Sequence, residues 1–161
     1  MEIPKFLEHM PVYQGLPVPH TVMWVDGKPD FRVIDHSRVQ DCVMNRLCAI
    51  CGRKMGEYLW FVGGPKSLEE SSLFVDPPQH EKCARFALEV CPFLSGKVTK
   101  HNDTRPLPKV KEFAIKENCL MTPDRSEKVG MRKAKNFELV NVQGHGLMYV
   151  RQWWSKPIWL A

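Results

Sequence analysis

No apolar run in this 161-residue chain approaches the length of a membrane span, and the opening stretch Met1 to His9 has no apolar core of a secretory signal. The expectation is a cytosolic protein. In that reducing compartment the six cysteines are not read as three disulfides. A phosphate-binding loop is missing too: Gly63-Gly64-Pro65-Lys66 lacks the Gly-Lys-Ser/Thr ending that gives such loops their chemistry. Composition is not extreme in any direction. Hydrophobic and charged fractions of 43% and 25% fit a soluble globular chain, and the length suits one domain with a core of its own. Thirteen prolines and ten glycines point to short elements with many irregular connections.

What is present centres on Leu47 to Ser95. Cys48-Ala-Ile-Cys51-Gly52 and His80-Glu-Lys-Cys83 supply three thiolates and one imidazole, a complete tetrahedral set for zinc. A redox Cys-x-x-Cys would leave the second pair unexplained. Gly52 lets the backbone fold back under the metal. Two apolar runs, Tyr58 to Val62 and Leu73 to Val75, are interrupted by Gly63-Gly64-Pro65 and are expected to pair as a hairpin. The polar stretch Lys66 to Ser72 between them reads as an exposed loop. From Cys83 onward, Phe86, Ala87, Val90 and Cys91 recur at helical spacing, and Pro92 and Gly96 mark the exit. Knuckle, hairpin and a helix whose first turn carries two ligands is the order of a treble-clef zinc finger. Cys91 lies two helical turns beyond Cys83 and cannot join the same tetrahedron. Cys42 falls on an apolar helix face and reads as a small buried hydrophobe; Cys119 is expected to be idle.

The fold expected is α+β, a treble-clef-like finger flanked by β-hairpins and short helices, within one domain spanning 1–161. Its parts are 1–46 (an arm, a hairpin and a helix), 47–95 (the finger) and 96–161 (a basic segment and a second hairpin). The arm, Pro4 to Pro19, reads as an extended strap over the domain. Thr21 to Val25 and Phe31 to Ile34 flank an Asp26-Gly27 turn, a hairpin pattern in which Trp24 and Phe31 are expected as core or cross-strand residues. A helix follows, with Ser37 and Gln40 placed as in a capping box. Lys109 to Leu120 carries a weak helical pattern, Thr122 to Ser126 a turn, and Val129 to Lys135 a basic loop. Phe137 to Val142 and Leu147 to Arg151 flank Gly144-His145-Gly146 as the second hairpin. Trp153, Trp154 and Trp159 are too apolar to leave in water and should cap the core or meet a partner.

The net charge of +5 is unevenly placed: Lys97 to Lys135 holds eleven Lys/Arg against five Asp/Glu, a net of +6. A basic third beside a neutral zinc module suggests an anionic partner, nucleic acid or an acidic protein face, as against a solvated surface. The candidate contact residues are Lys97, Lys100, Arg105, Lys109, Lys111, Arg132, Lys133 and Lys135.

The set Cys48-Ala-Ile-Cys51-Gly52, Phe61-Val-Gly-Gly-Pro65, Asp76-Pro-Pro-Gln-His80, Cys83-Ala84 and Cys91-Pro-Phe-Leu94, preceded by Asp26-Gly-Lys-Pro-Asp-Phe-Arg32, resembles small uncharacterised zinc-binding proteins of phage and bacterial genomes. The resemblance covers about residues 1–95 and implies a phage-related context, with the host cytoplasm as its compartment. The finger alone is similar to treble-clef modules in general, which include nucleic-acid binders, protein-interaction domains and His-metal nucleases, so the fold cannot choose a function. Four protein ligands leave no open metal position, which favours a non-enzymatic binding protein over catalysis. The alternative is a divergent treble-clef nuclease of the His-metal type. Its motif is lacking: Asp76 has no accompanying histidine, and His101, Asn102 and Asp103 are merely adjacent on a loop.

Overall fold

A computed structural model describes residues 2–91 and 128–160. The helix read over Lys109 to Leu120, the turn from Thr122 and Cys119 lie outside the described residues. The rest is mixed α+β, built of small sheets and short helices. No described helix is long and apolar enough to cross a membrane.

The N-terminal arm is a strap, as its prolines suggest. It makes one 3-10 turn at Lys5–Leu7 and a minimal hairpin, β1 (Val12–Tyr13) with β2 (Leu16–Pro17), and sinks Leu7, Met10 and Val18 into the interior. The next hairpin is β3 (Val22–Val25) with β4 (Lys28–Ile34). Its turn is only Asp26-Gly27, both at positive φ (51° and 76°), the twist that suits a two-residue connection between right-twisted strands. Lys28-Pro29-Asp30 therefore belongs to β4 and not to the loop. Phe31 is 52% exposed within β4, so of its two expected places, core or strand surface, it is not in the core.

Helix α1 (His36–Asn45) follows. Asp35 is its N-cap, accepting from the Ser37 and Arg38 amides at 3.1 and 3.3 Å. Ser37 instead sits inside the first turn and donates its hydroxyl to Asp35 at 2.8 Å. A carboxylate two positions earlier outcompetes the hydroxyl because it also meets the positive end of the helix dipole. Arg46, left-handed at φ 54°, ends the helix and aims the chain into the knuckle.

The hairpin expected inside the finger does not form. Strand β5 (Leu59–Gly63) pairs antiparallel with β7 (Gly130–Ala134), and β6 (Leu73–Phe74) pairs with β9 (His145–Tyr149). The first finger run is a continuous apolar string whose Leu59, Trp60 and Phe61 are buried on both faces, so it needs a long-range partner, and the second run, with Phe74 buried, finds its own in β9. What remains of the hairpin is a single bridge, Trp60 with Gln79, closed by two backbone hydrogen bonds of 3.0 and 2.8 Å. The segment Lys66–Ser71 is a π-helical turn. Its Glu69 and Glu70 are exposed as expected of a loop, but Leu68 is fully buried and pins it to the core.

Val129 to Lys135, expected as a basic loop, is instead the middle strand of a three-stranded sheet, β5–β7–β10, with β10 at Ile158–Trp159. The C-terminal hairpin forms as expected between β8 (Glu138–Val142) and β9, turning at Gln143-Gly144. It carries β6 on its other edge.

One face of β5 and β7 looks into the main core, where Leu59, Phe61, Leu68, Phe74, Met148 and Val150 pack with Cys48, Cys51 and Cys83. Phe61 meets Phe74, Phe137 and Trp153 at ring-centroid distances of 4.6, 6.1 and 6.0 Å. Each such pair is worth about 0.5–1.5 kcal/mol beyond its buried area. The other face carries Trp60 and Met131 against Ala84 and Leu88 of α2 (Glu81–Val90). The helix ends before Cys91-Pro92, as expected.

Candidate metal centre

The knuckle is built by backbone closure. The Cys48 amide donates to the Arg53 carbonyl at 2.8 Å and the Gly52 amide to the Cys48 carbonyl at 2.9 Å. Gly52 takes φ +73°, a left-handed turn that a side chain would strain. The second half of the site is brought in by Ala49, whose amide donates to the Pro78 carbonyl at 3.1 Å. His80 then stands at the N-cap of α2 and Cys83 in its first turn, where the helix dipole favours thiolate.

These four side chains, and no other described set of three or more His, Cys, Asp or Glu, offer metal ligands together: their donor atoms all lie within 4.8 Å of one another. Cys51 Sγ is 3.3 Å and Cys83 Sγ 3.9 Å from His80 Nδ1. A tetrahedral ion with bonds of about 2.0–2.3 Å separates its donors by roughly 3.5–3.8 Å, so the donor set fits with small adjustments. All four residues expected as ligands are brought together, and Cys48, Cys51 and Cys83 are buried.

The imidazole is oriented from behind. His80 Nε2–H donates to the Lys54 carbonyl at 3.0 Å, which fixes the tautomer and turns the Nδ1 lone pair toward the sulfurs. The His80 amide donates to Cys48 Sγ at 3.4 Å. Without a cation the donors share protons: hydrogen bonding with Cys48 and Cys83 holds the Cys51 thiol far below its usual range. The same crowding pushes the Cys83 thiol up, through Cys48 first and Cys51 second. Contact with the Cys48 and Cys51 sulfurs raises His80 to about 10. A divalent ion replaces those protons and relieves the crowding of like charge.

The strap guards the knuckle. His9 Nε2–H donates to the Cys51 carbonyl at 2.9 Å, the His20 amide to the Ile50 carbonyl at 2.8 Å and the Thr21 amide to the Ala49 carbonyl at 3.3 Å. Sequence reasoning did not find these three residues. They lie 28 to 42 positions from their partners, and nothing local in the sequence marks them.

Cys42 is buried, donates weakly to the Cys48 carbonyl at 3.9 Å, and stays out of the donor set. Burial, then the nearby Cys48, pushes its thiol up to about 12. Cys91 is half-buried at the end of α2. Of the basic residues singled out, Lys97, Lys100, Arg105, Lys109 and Lys111 lie outside the described residues, as do His101, Asn102 and Asp103. Arg132 and Lys133 are on β7, and Lys135 follows its last residue. Arg132 faces the core side, donating to the Leu68 carbonyl at 2.6 Å and the Ser155 carbonyl at 2.8 Å. Lys133 is on the other face, opposite Trp60; its ammonium and that of Lys135 lie over Tyr58 at 4.5 and 5.6 Å from the ring centroid, and Lys135 also lies over Trp154 at 3.9 Å.

Fold and site together define a mixed α+β protein in which two segments about thirty residues apart meet in a buried Cys3His group able to bind a metal ion. No family model, curated protein or solved structure matches this chain.

Proposed function

We propose that this is a zinc-stabilised, non-enzymatic binding protein that engages an anionic partner through its basic C-terminal third, in a phage-related context. The observation that carries the reading is the closed donor set: four protein ligands within 4.8 Å of one another. Thiolate-rich tetrahedral sites suit zinc. A set closed by four protein ligands has no position left for substrate or activated water, so the ion is structural. Support for the partner is the charge of residues 97–135, together with the partly exposed Lys133 and Lys135 at the end of β7. The phage context rests on the resemblance of residues 1–95.

Elemental analysis should return one zinc per chain. In a gel shift across a salt series, a nucleic-acid partner should be lost steeply as salt rises, since phosphate contacts release counterions. A pull-down from host lysate should recover an acidic protein if the partner is protein. Protein without zinc, or zinc kept in full by a Cys48→Ala/Cys83→Ala double variant, would remove the centre of this reading.

A further inference from the structure

Where β7 ends, beside the face that packs on α2, lies an arrangement that a merely solvated basic segment does not need. Lys133 lies on β7 and Lys135 one residue past its end, and both lay their ammoniums over Tyr58, at 4.5 and 5.6 Å from the ring centroid. Two rings stand beside them in the open, Tyr58 at 39% and Trp154 at 45% exposure. The rings are held in place by backbone: Tyr58 directly precedes β5, and the Trp154 amide donates to the Lys133 carbonyl at 2.8 Å. Next to it, Ala134 bridges Trp153, which is locked in the aromatic core. Lys135 has one acidic neighbour, Glu57, at 3.0 Å. Lys133 rests over the rings of Tyr58 and Trp60, with no carboxylate in ion-pair contact among the described residues. Arg46 braces the strip from behind, donating to the Lys135 carbonyl at 3.3 Å.

We propose that Tyr58, Lys133, Lys135 and Trp154 form the contact strip for single-stranded nucleic acid, the ammoniums taking successive phosphates and Trp154 stacking a base. Ammoniums resting on rings are mobile donors that a phosphate can draw off at little cost, leaving the ring face for a base. An acidic protein face would use the lysines and have no use for the rings. Duplex DNA is read by a helix or ribbon entering a groove, whereas this strip is formed by strand ends and flanking residues and presents neither. The proposal rests on the reading above that the partner is anionic, and narrows it.

The test is fluorescence anisotropy of a labelled 20-nucleotide oligo-dT against the zinc-loaded full chain, run across a salt series, with heparin-column retention in parallel. Trp154→Ala should weaken oligo-dT binding by about 5- to 150-fold, the range for losing one stacked base, while Trp154→Phe keeps most of it. Lys133→Gln/Lys135→Gln should lower the slope of log affinity against log salt by about 1.4, from two lost single-strand phosphate contacts. Zinc content and circular dichroism check that each variant is folded. Equal competition by duplex of the same length, or oligo-dT binding indifferent to all three variants, would overturn the strip. Heparin retention without oligo-dT binding would overturn it as well and leave the broader anionic-partner reading standing. Absence of both would bring down the two together.

Discussion

Gly52 and His20 stand face to face across the knuckle: a Cβ built on Gly52 would come within 2.8 Å of His20 Nδ1 and 3.0 Å of its Cγ. The strap therefore closes over the metal-binding turn so tightly that only glycine fits beneath it. Burial, with the Arg38 charge adding to it, keeps His20 below its ordinary pKa, so a neutral ring covers the turn.

Gly52→Ala should cost at least about 1–2 kcal/mol from the left-handed backbone alone, with the collision added. Pairing it with His20→Ala should recover the collision and leave the backbone strain. Thermal unfolding of the two variants, with zinc affinity by chelator competition, separates the contributions. Equal stability of wild type and Gly52→Ala would show that the strap yields freely.

Metal removal should reach well beyond the finger. A zinc clip of this kind contributes several kcal/mol or more to folding. Because β5 pairs with β7 and β6 with β9, the C-terminal sheets share the finger's core and cannot stand when it loosens. Hydrogen exchange on chelated protein should show protection lost together across residues 48–91 and 130–150. The β3–β4 hairpin has its own pairing and is expected to persist longest. Cys42→Ala and Cys91→Ala should keep stoichiometric zinc, while Cys83→Ser should not.

Cys42 gives a pH signature. Its thiol, pushed up to about 12 in the fold from 9.0 in the unfolded chain, is protonated in both states below pH 9. Between pH 9 and 12 the unfolded chain sheds that proton and the folded chain keeps it, so stability falls as pH rises. Cys42→Ala should flatten that part of the alkaline decline, seen in urea titrations at pH 8, 9 and 10. Alkylation of Cys42 by iodoacetamide should proceed no faster than the fold opens.

Arg132 should behave as a structural residue. Its guanidinium joins the buried Leu68 turn to Ser155 by hydrogen bonds of 2.6 and 2.8 Å and lies 4.7 Å from the Trp153 centroid. Lysine reaches one of those carbonyls and cannot bridge both. Arg132→Lys should lower stability by about 1–3 kcal/mol with zinc retained. Partner affinity per folded molecule should stay within about twofold. A stable variant with lost binding would return Arg132 to the contact surface.

The sequence by itself picked out the candidate donor group, because metal geometry demands donor types at fixed local spacing, and Cys48, Cys51, His80 and Cys83, which the fold brings within 4.8 Å of one another, carry that spacing in plain view. It also determined what short-range rules govern: the Asp26-Gly27 turn, the existence of the C-terminal hairpin (though its turn falls at Gln143-Gly144, before the expected Gly144-His145-Gly146), the end of α2 at Cys91, and the burial of Cys42. Helix α1 was legible too, although its cap lay with Asp35, two positions before Ser37. Only the tertiary structure decided which strands pair. Leu59–Gly63 and Leu73–Phe74 satisfy no local periodicity that names a partner, and their partners lie some seventy residues on. One of these, β7, carries Arg132 and Lys133 among its five residues and looks like a loop until it is paired between β5 and β10. The strap over the knuckle is of the same kind: contacts from His9 and His20 to the 50–52 turn are made by folding alone, since nothing in either segment encodes the distance between them.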